Sequence, residues 1–270
     1  MTASDTDWSS DDLDEIKKRS AIARLDFHES LPSTNTRALE LVREHGTELP
    51  LVVLTTEQTA GRGRGSNLWQ SSAGSLTFSL AAELSREIVS NRVARLSLAM
   101  GVAVARAIEG FLDEASRVAL KWPNDVLVDD GKVCGILVEL VTVPTPRVVV
   151  GIGVNVNNDV SRVELNNLPR ALSLSNVTGN QLNRREVLIQ VLIQLGQVLE
   201  ADFLQQDGWL DDYRDRCVLT GRNISVESAA GQITGECRGV DEDGALVILS
   251  EHGVERVVTG SVVDIGADAH

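Results

Sequence analysis

Aromatic residues are scarce in this 270-residue chain, at 3% with a single tyrosine. Any sizeable core is therefore aliphatic, drawn from the 43% of residues that are hydrophobic. Long apolar runs are lacking too. None approaches the roughly 18 residues of a membrane span, and the N-terminus has no apolar signal core. Cysteine is rare: Cys134, Cys217 and Cys237 are odd in number, far apart and form no CxxC pair. That spacing excludes a disulfide framework and reads as three buried thiols in a reducing cytoplasm. His28, His45, His252 and His270 have no metal-ligand spacing with one another or with those cysteines, so nothing suggests a zinc site. Positive charge is in deficit, with 25 lysines and arginines against 39 acidic residues and a net charge of −14. Phosphates would be repelled, which opposes a general affinity for nucleic acid.

What is present begins with an acidic tail, residues 1–20. Asp5, Asp7, Asp11, Asp12, Asp14 and Glu15 stand unopposed over the first 15 positions, as a solvated stretch leading into a short helix near 16–24 would. A helix-turn-helix needs about twice that length, so no DNA-reading domain fits at this end.

Residues 21–216 alternate helical and strand patterns. "STNTRALELVREHG" (33–46) reads as a helix capped by Thr34 or Asn35 and ended by Gly46. "LVVLTTEQ" (51–58) reads as a strand running into a glycine loop. In "GSLTFSLAAEL" (74–84), Leu76, Phe78 and Leu80 alternate with Ser75, Thr77 and Ser79, the pattern of a half-buried strand. Residues 90–112 give a long helix with Ser90 and Asn91 as caps and Val93, Leu96, Met100, Val104, Ile108 and Phe111 at helical spacing. "RVALK" (117–121) is a strand, followed by two more about the turn Asp129-Asp130-Gly131. "RVVVGIGVNVN" (147–157) is nearly all apolar, which suits a central strand, and residues 183–204 form a second long amphipathic helix. Over 217–270 the glycines from Gly221 to Gly260 punctuate short strands, the texture of a small all-β barrel.

Two segments carry chemistry. "TAGRGRGSNLWQ" (59–70) sets Arg62 and Arg64 among glycines and ends near Trp69. A backbone free to take positive φ, with two guanidinium forks, can close over a carboxylate or phosphate and pair with it bidentately. An ordinary glycine turn with solvated arginines has the same composition. The loop lacks P-loop spacing, and "GIGVN" is not the dinucleotide fingerprint. "KWPND" (121–125) follows a strand directly, offering Lys121 as a compact cation with Asn124 and Asp125 at the strand's end. Lys132, eleven positions on, opens "KVCGILVE", although a lysine after Asp-Asp-Gly is commonly a solvated turn residue.

Taken in order, "STN" (33–35), "EQTAGRGR" (57–64), Trp69, "KWPND" (121–125), "GKVCGILVE" (131–139) and "GIGVNVN" (151–157) resemble the biotin protein ligases over about residues 22–267. The resemblance implies an α/β (α+β) catalytic domain over 21–216, with a mixed sheet flanked by helices of the class II aminoacyl-tRNA synthetase/biotin ligase type. It implies an SH3-like C-terminal barrel over 217–270. The implied activity is ATP-dependent: biotin is activated as biotinoyl-5′-AMP, then transferred to a lysine of a biotin carboxyl carrier domain. Mg²⁺ would arrive with the ATP phosphates, with no metal site built into the protein. No nucleic acid or membrane partner is implied, and the enzyme would be cytoplasmic, as a monomer or homodimer.

The same resemblance assigns roles. Ser33, Thr34, Asn35 and Gln58 are neutral, directional partners suited to a ureido ring, with Gly63 and Gly135 beside them. Arg62, Arg64 and Lys132 would offset the repulsion between two reacting anions. Lys132 is assigned to biotin's carboxyl end, and Lys121, Asn124, Asn155 and Trp69 to the nucleotide, with Trp69 stacking on adenine. Asp125 would aid either the attacking lysine or the metal. The glycine–arginine loop reads as a lid that keeps water from the anhydride. At 66 and 67 the family usually has glycine or asparagine followed by a basic residue, so Ser66 and Asn67 leave the lid one cation short. Two other readings are a lipoate-type protein ligase, which shares fold and adenylation chemistry, and a biotin-responsive repressor. The short N-terminal segment and the acidic charge oppose the latter.

Overall fold

The acidic start is helical from residue 10. The computed structural model describes residues 8–84, 93–142, 145–161, 170–200, 203–206 and 208–266, and helix α1 spans Ser10–Ser20. Ser9 caps it: the Asp12 N–H donates to Ser9 Oγ at 3.2 Å, and the Ser9 N–H donates to Asp12 Oδ2 at 3.0 Å. Asp11 and Asp12 occupy the first turn and Lys17, Lys18 and Arg19 the last, both favourable to the helix dipole. Ile16 is fully buried in the main core, and Arg19 reaches Glu186 at 2.7 Å. A solvated tail over 1–20 is thus corrected from residue 10 onward, and residues 1–7 lie outside the described ones. The expected helix near 16–24 ends at Ser20, where Ala21 turns left-handed at φ 54°.

There follow β1 (Arg24–Leu31), α2 (Thr34–Leu41), β2 (Leu51–Gln58), β3 (Leu76–Glu83), α3 (Val93–Glu109), β4 (Val118–Lys121), β5 (Asp125–Val128), β6 (Gly131–Val141) and β7 (Arg147–Val154). Helices α4 (Leu174–Thr178), α5 (Arg184–Val198) and α6 (Gly208–Arg216) come next. The seven strands form one mixed sheet in the order β1-β2-β3-β7-β6-β5-β4. Only β1 and β2 run parallel. As its apolar sequence required, β7 is the middle strand.

Strand parity separates two buried faces. Val52, Leu54, Leu76, Phe78 and Leu80 join the main core with α3 and α5. Leu51, Val53, Ala81 and Val149 cluster instead with Ala38 and Leu41 of α2. In α3 the expected stripe of Leu96, Met100, Val104 and Ile108 is buried throughout; the expected caps Ser90 and Asn91 lie outside the described residues. Strand β3 is not half-exposed, because α2 covers its second face. Thr77 and Ser79 are therefore buried as well, at 3% and 0% exposure. Ser33, rather than Thr34 or Asn35, caps α2, and that helix ends at Leu41, before Gly46.

Strands β8 (Asn223–Ser228), β9 (Gly231–Val240), β10 (Leu246–Ser250), β11 (Gly253–Val257) and β12 (Ser261–Ile265) form a second sheet, wholly antiparallel, in the order β11-β10-β9-β8-β12. This is the SH3-like C-terminal domain. Its Ile224, Val226, Cys237 and Leu246 belong to the same buried cluster as α3 and α5. Trp122 Nε1 donates to the Gly244 carbonyl at 3.2 Å, and the Val218 N–H donates to the Leu120 carbonyl at 3.0 Å. Those ties bring the start of β12 to a cavity on the large sheet. The three cysteines are buried and form no disulfide. Among the described residues, no helix is long and apolar enough to cross a membrane.

Candidate active site

A cavity of about 420 Å³ lies between α2, the odd-numbered face of β6 and β7, and the loop 59–70. Ser33, Thr34, Asn35, Gln58, Arg62, Gly63, Arg64, Trp69, Lys121, Asn124, Asp125, Lys132 and Gly135 all line it. Asn155 does not. It closes a local fold past the end of β7, its Oδ1 accepting from Asn158 Nδ2 at 3.0 Å and its carbonyl accepting from the Leu174 N–H at 2.9 Å.

One end of the cavity is a chain of neutral groups. The Thr34 N–H and Oγ1 donate to Gln58 Oε1 at 2.7 and 3.1 Å. Ser79 Oγ lies 2.7 Å from Thr34 Oγ1 and 2.5 Å from Asn35 Oδ1. Asn35 Nδ2 donates to Glu139 Oε2 at 2.8 Å, and Arg62 Nη2 reaches the same oxygen at 2.7 Å. With Glu139 on it, Arg62 is a directed donor with its charge offset. Two glycines make room here: a Cβ at Gly151 would sit 2.0 Å from Asn35 Oδ1, and one at Gly153 would sit 2.1 Å from Trp69 Cε2. Trp69 therefore lies flat on β7, and its buried Nε1 has no hydrogen-bond partner among the described residues.

The other end is cationic. Lys132 Nζ pairs with Asp125 Oδ1 at 2.7 Å. Lys121, at the end of β4, is 3% exposed and has no carboxylate within ion-pair distance among the described residues. Burial pushes its ammonium down from 10.5 to about 8, with Lys132 adding to the effect and Asp125 opposing it. Asn124 Nδ2 donates to the Ile136 carbonyl at 2.9 Å, tying "KWPND" to β6. Arg64 is bonded to the C-terminal domain: its Nη2 donates to Thr259 Oγ1 at 2.5 Å and its Nη1 to the Gly260 carbonyl.

Sequence reasoning passed over Glu139, Ser79, Ser261 and Val262. Glu139 stood inside a quoted motif and shares parity with Gly135, which was a usable signal. Ser79 was read as a solvent-facing hydroxyl. Ser261 and Val262 line the cavity from the second sheet, a contact across nearly 200 residues that local pattern does not encode.

Residues 27–157 match the biotin/lipoate A/B protein ligase family, and residues 219–266 match the biotin protein ligase C-terminal domain. The biotin–[acetyl-CoA-carboxylase] ligase of Mycobacterium tuberculosis is 32% identical, over 83% of this chain and 83% of that one. A bifunctional ligase/repressor of Bacillus subtilis is 29% identical, over 87% of this chain and 72% of its own length. The biotin protein ligase of Aquifex aeolicus, solved with biotin and ATP, superposes with a TM-score of 0.74 at 29% identity, covering 89% of this chain and 97% of that one.

Proposed function

The chain belongs to the biotin protein ligase family, and from that premise we propose that it activates biotin with ATP and transfers it to a lysine of a carboxylase's carrier domain. The observation that carries this reading is the two-ended cavity. At one end Thr34, Asn35, Gln58 and a charge-compensated Arg62 offer hydrogen bonds to a neutral ureido ring. At the other, Lys121 is a desolvated cation with no carboxylate of its own, placed for a phosphate. Lys132 stands between, aimed by Asp125, where a carboxylate and the α-phosphate would meet.

In the first step a carboxylate oxygen attacks the α-phosphorus and pyrophosphate leaves. Lys121 and Lys132 stabilise the charge that accumulates there. Trp69, resting on β7 and lining the cavity, supplies a ring face for the adenine. In the second step the carrier's neutral lysine amine attacks the acyl carbon, AMP leaves, and the new amide sheds a proton. Asp125, held on Lys132, is a positioning residue here. Both cavity carboxylates are committed to cations, and no group of three metal-ligating side chains occurs among the described residues. These residues offer no cage for Mg²⁺, which would be carried on the nucleotide.

Biotin-dependent exchange of labelled pyrophosphate into ATP, without carrier, tests the first step. Intact mass of a biotin carboxyl carrier domain, raised by one biotinoyl group, tests the second. Exchange supported by lipoate and not by biotin overturns the assignment in favour of the lipoate branch of the family.

A further inference from the structure

The lid arginine at the cavity's edge is bonded to the C-terminal turn. We propose that the turn between β11 and β12 latches the 59–70 lid, with Thr259 a positioning residue that acts through Arg64. The proposal rests on the ligase reading above for what the lid retains, while the latch itself rests on geometry.

Arg64 spends two guanidinium nitrogens on this single turn, one on Thr259 Oγ1 and one on the Gly260 carbonyl. The face of Trp122 lies 5.9 Å from its Cζ, so the guanidinium is sandwiched between the two domains. The turn has a firm backing, since a Cβ at Gly260 would lie 2.7 Å from the Glu227 carbonyl of β8. At its base the loop is tied to the end of β1, the Thr59 and Ala60 N–H groups donating to the Leu31 and Pro32 carbonyls at 3.0 Å each. From residue 61 on, the described backbone bonds are internal: Gly63 N–H to the Asn67 carbonyl, Asn67 N–H to the Arg64 carbonyl, and Trp69 N–H to the Gly61 carbonyl. Beyond that base the lid is pinned by three side chains, Trp69 on β7, Arg62 on β6 and Arg64 on the C-terminal turn. Ser261, next to that turn, also walls the cavity.

Both Arg64 acceptors are neutral. The guanidinium keeps its charge over the cavity, where a carboxylate acceptor would cancel it as Glu139 does for Arg62. Neutral bonds also release more readily than an ion pair, so this anchor is the one able to let the lid open for the carrier's lysine. It places the C-terminal domain in control of how long the adenylate stays.

Thr259→Val removes the hydroxyl acceptor at nearly constant shape, and the residue is exposed, so the fold is not at stake. Two readouts are taken: single-turnover release of biotinoyl-AMP, and trypsin cleavage at the Arg64–Gly65 bond followed by mass. Thr259→Val is expected to release adenylate about three- to tenfold faster and to be cleaved faster, with Thr259→Ser restoring both. Combined with Arg64→Gly, Thr259→Val should add nothing to release beyond Arg64→Gly alone. Wild-type release by Thr259→Val, failure of Thr259→Ser to restore, or additive effects with Arg64→Gly would overturn the latch. If the wild-type protein makes no adenylate, the ligase reading falls, and unchanged or faster cleavage of Thr259→Val still decides the latch.

Discussion

A lysine that is 3% exposed and has no carboxylate within ion-pair distance among the described residues works against the fold. Lys121 titrates near 8 in the folded protein, against 10.5 when free. Below about pH 8 both states are protonated and the full penalty is present. Between about 8 and 10.5 the unfolded chain holds a proton that the folded chain has lost, so stability rises with pH across that window. The shift corresponds to about 3 kcal/mol at pH 7. Lys121→Met should therefore be more stable than wild type by up to that amount at pH 7, and the gap should close by about pH 10.5. Urea melts at both pH values check this, and equal stabilities at pH 7 would mean the ammonium is not desolvated. The same variant should lose pyrophosphate exchange, the pattern of a residue kept for its chemistry. Lys121 and Lys132 were singled out by the motif resemblance and not by local pattern, which reads a lysine after Asp-Asp-Gly as a turn residue, and both line the cavity. The target of Arg64 was not legible, because its acceptors are a hydroxyl and a carbonyl from a distant turn.

At the scale of elements, pattern reading located β2 to β7 but named neither β1 nor the ten-residue β9, and it missed what local polar chemistry decided. Helix α1 has few apolar positions, Leu13 and Ile16 packing on the core, and its capping box and segregated charges supply the signal that apolar periodicity alone does not. Strand β3 kept the alternation of a half-buried strand, yet its hydroxyl face became the floor beneath α2, where Ser79 links Thr34 to Asn35. Strand β7 shows the same conversion of strand into site. Its glycines at 151 and 153 were quoted for motif order alone, whereas in the fold they are the spaces that Asn35 and Trp69 fill. Gly153→Ala tests that directly. Its methyl group would meet the indole at 2.1 Å, and because the backbone of a central strand does not yield, the ring must lift. Acrylamide should then quench more of the tryptophan emission, and the KM for ATP should rise by about tenfold, with little change in melting temperature. Unchanged quenching would show that Trp69 does not rest on β7.

The whole molecule carries a net charge of −14, and the structure shows how much of its positive charge is already spent. Arg19, Arg37, Arg106, Arg185, Arg214, Arg216 and Arg256 are each paired with a carboxylate. Lys17 and Lys18 share α1 with Asp11, Asp12, Asp14 and Glu15. Of the cavity cations, Arg62 and Lys132 are paired, Lys121 is buried, and Arg64 is held by neutral acceptors on the C-terminal turn. A protein that grips DNA releases counterions from several phosphates at once, with about 6–10 contacts in typical cases. A paired arginine must first give up its carboxylate and then approach phosphate through a repulsive field, which raises the cost of assembling a stripe of that size from these residues. The composition pointed this way, and the pairing reduces the unpaired positive charge that a local basic patch could draw on among the described residues. The relative from Bacillus subtilis bears a repressor activity in its name, which makes the difference measurable. This 270-residue chain, with biotin and ATP present, is expected to give no complex with duplex DNA that survives unlabelled competitor, even at about 50 mM salt, where phosphate contacts are strongest. A gel shift over the promoter region of biotin genes checks it. A competition-resistant band that weakens steeply as salt rises would mean that the ion pairs rearrange on DNA, and the charge argument would have to be abandoned.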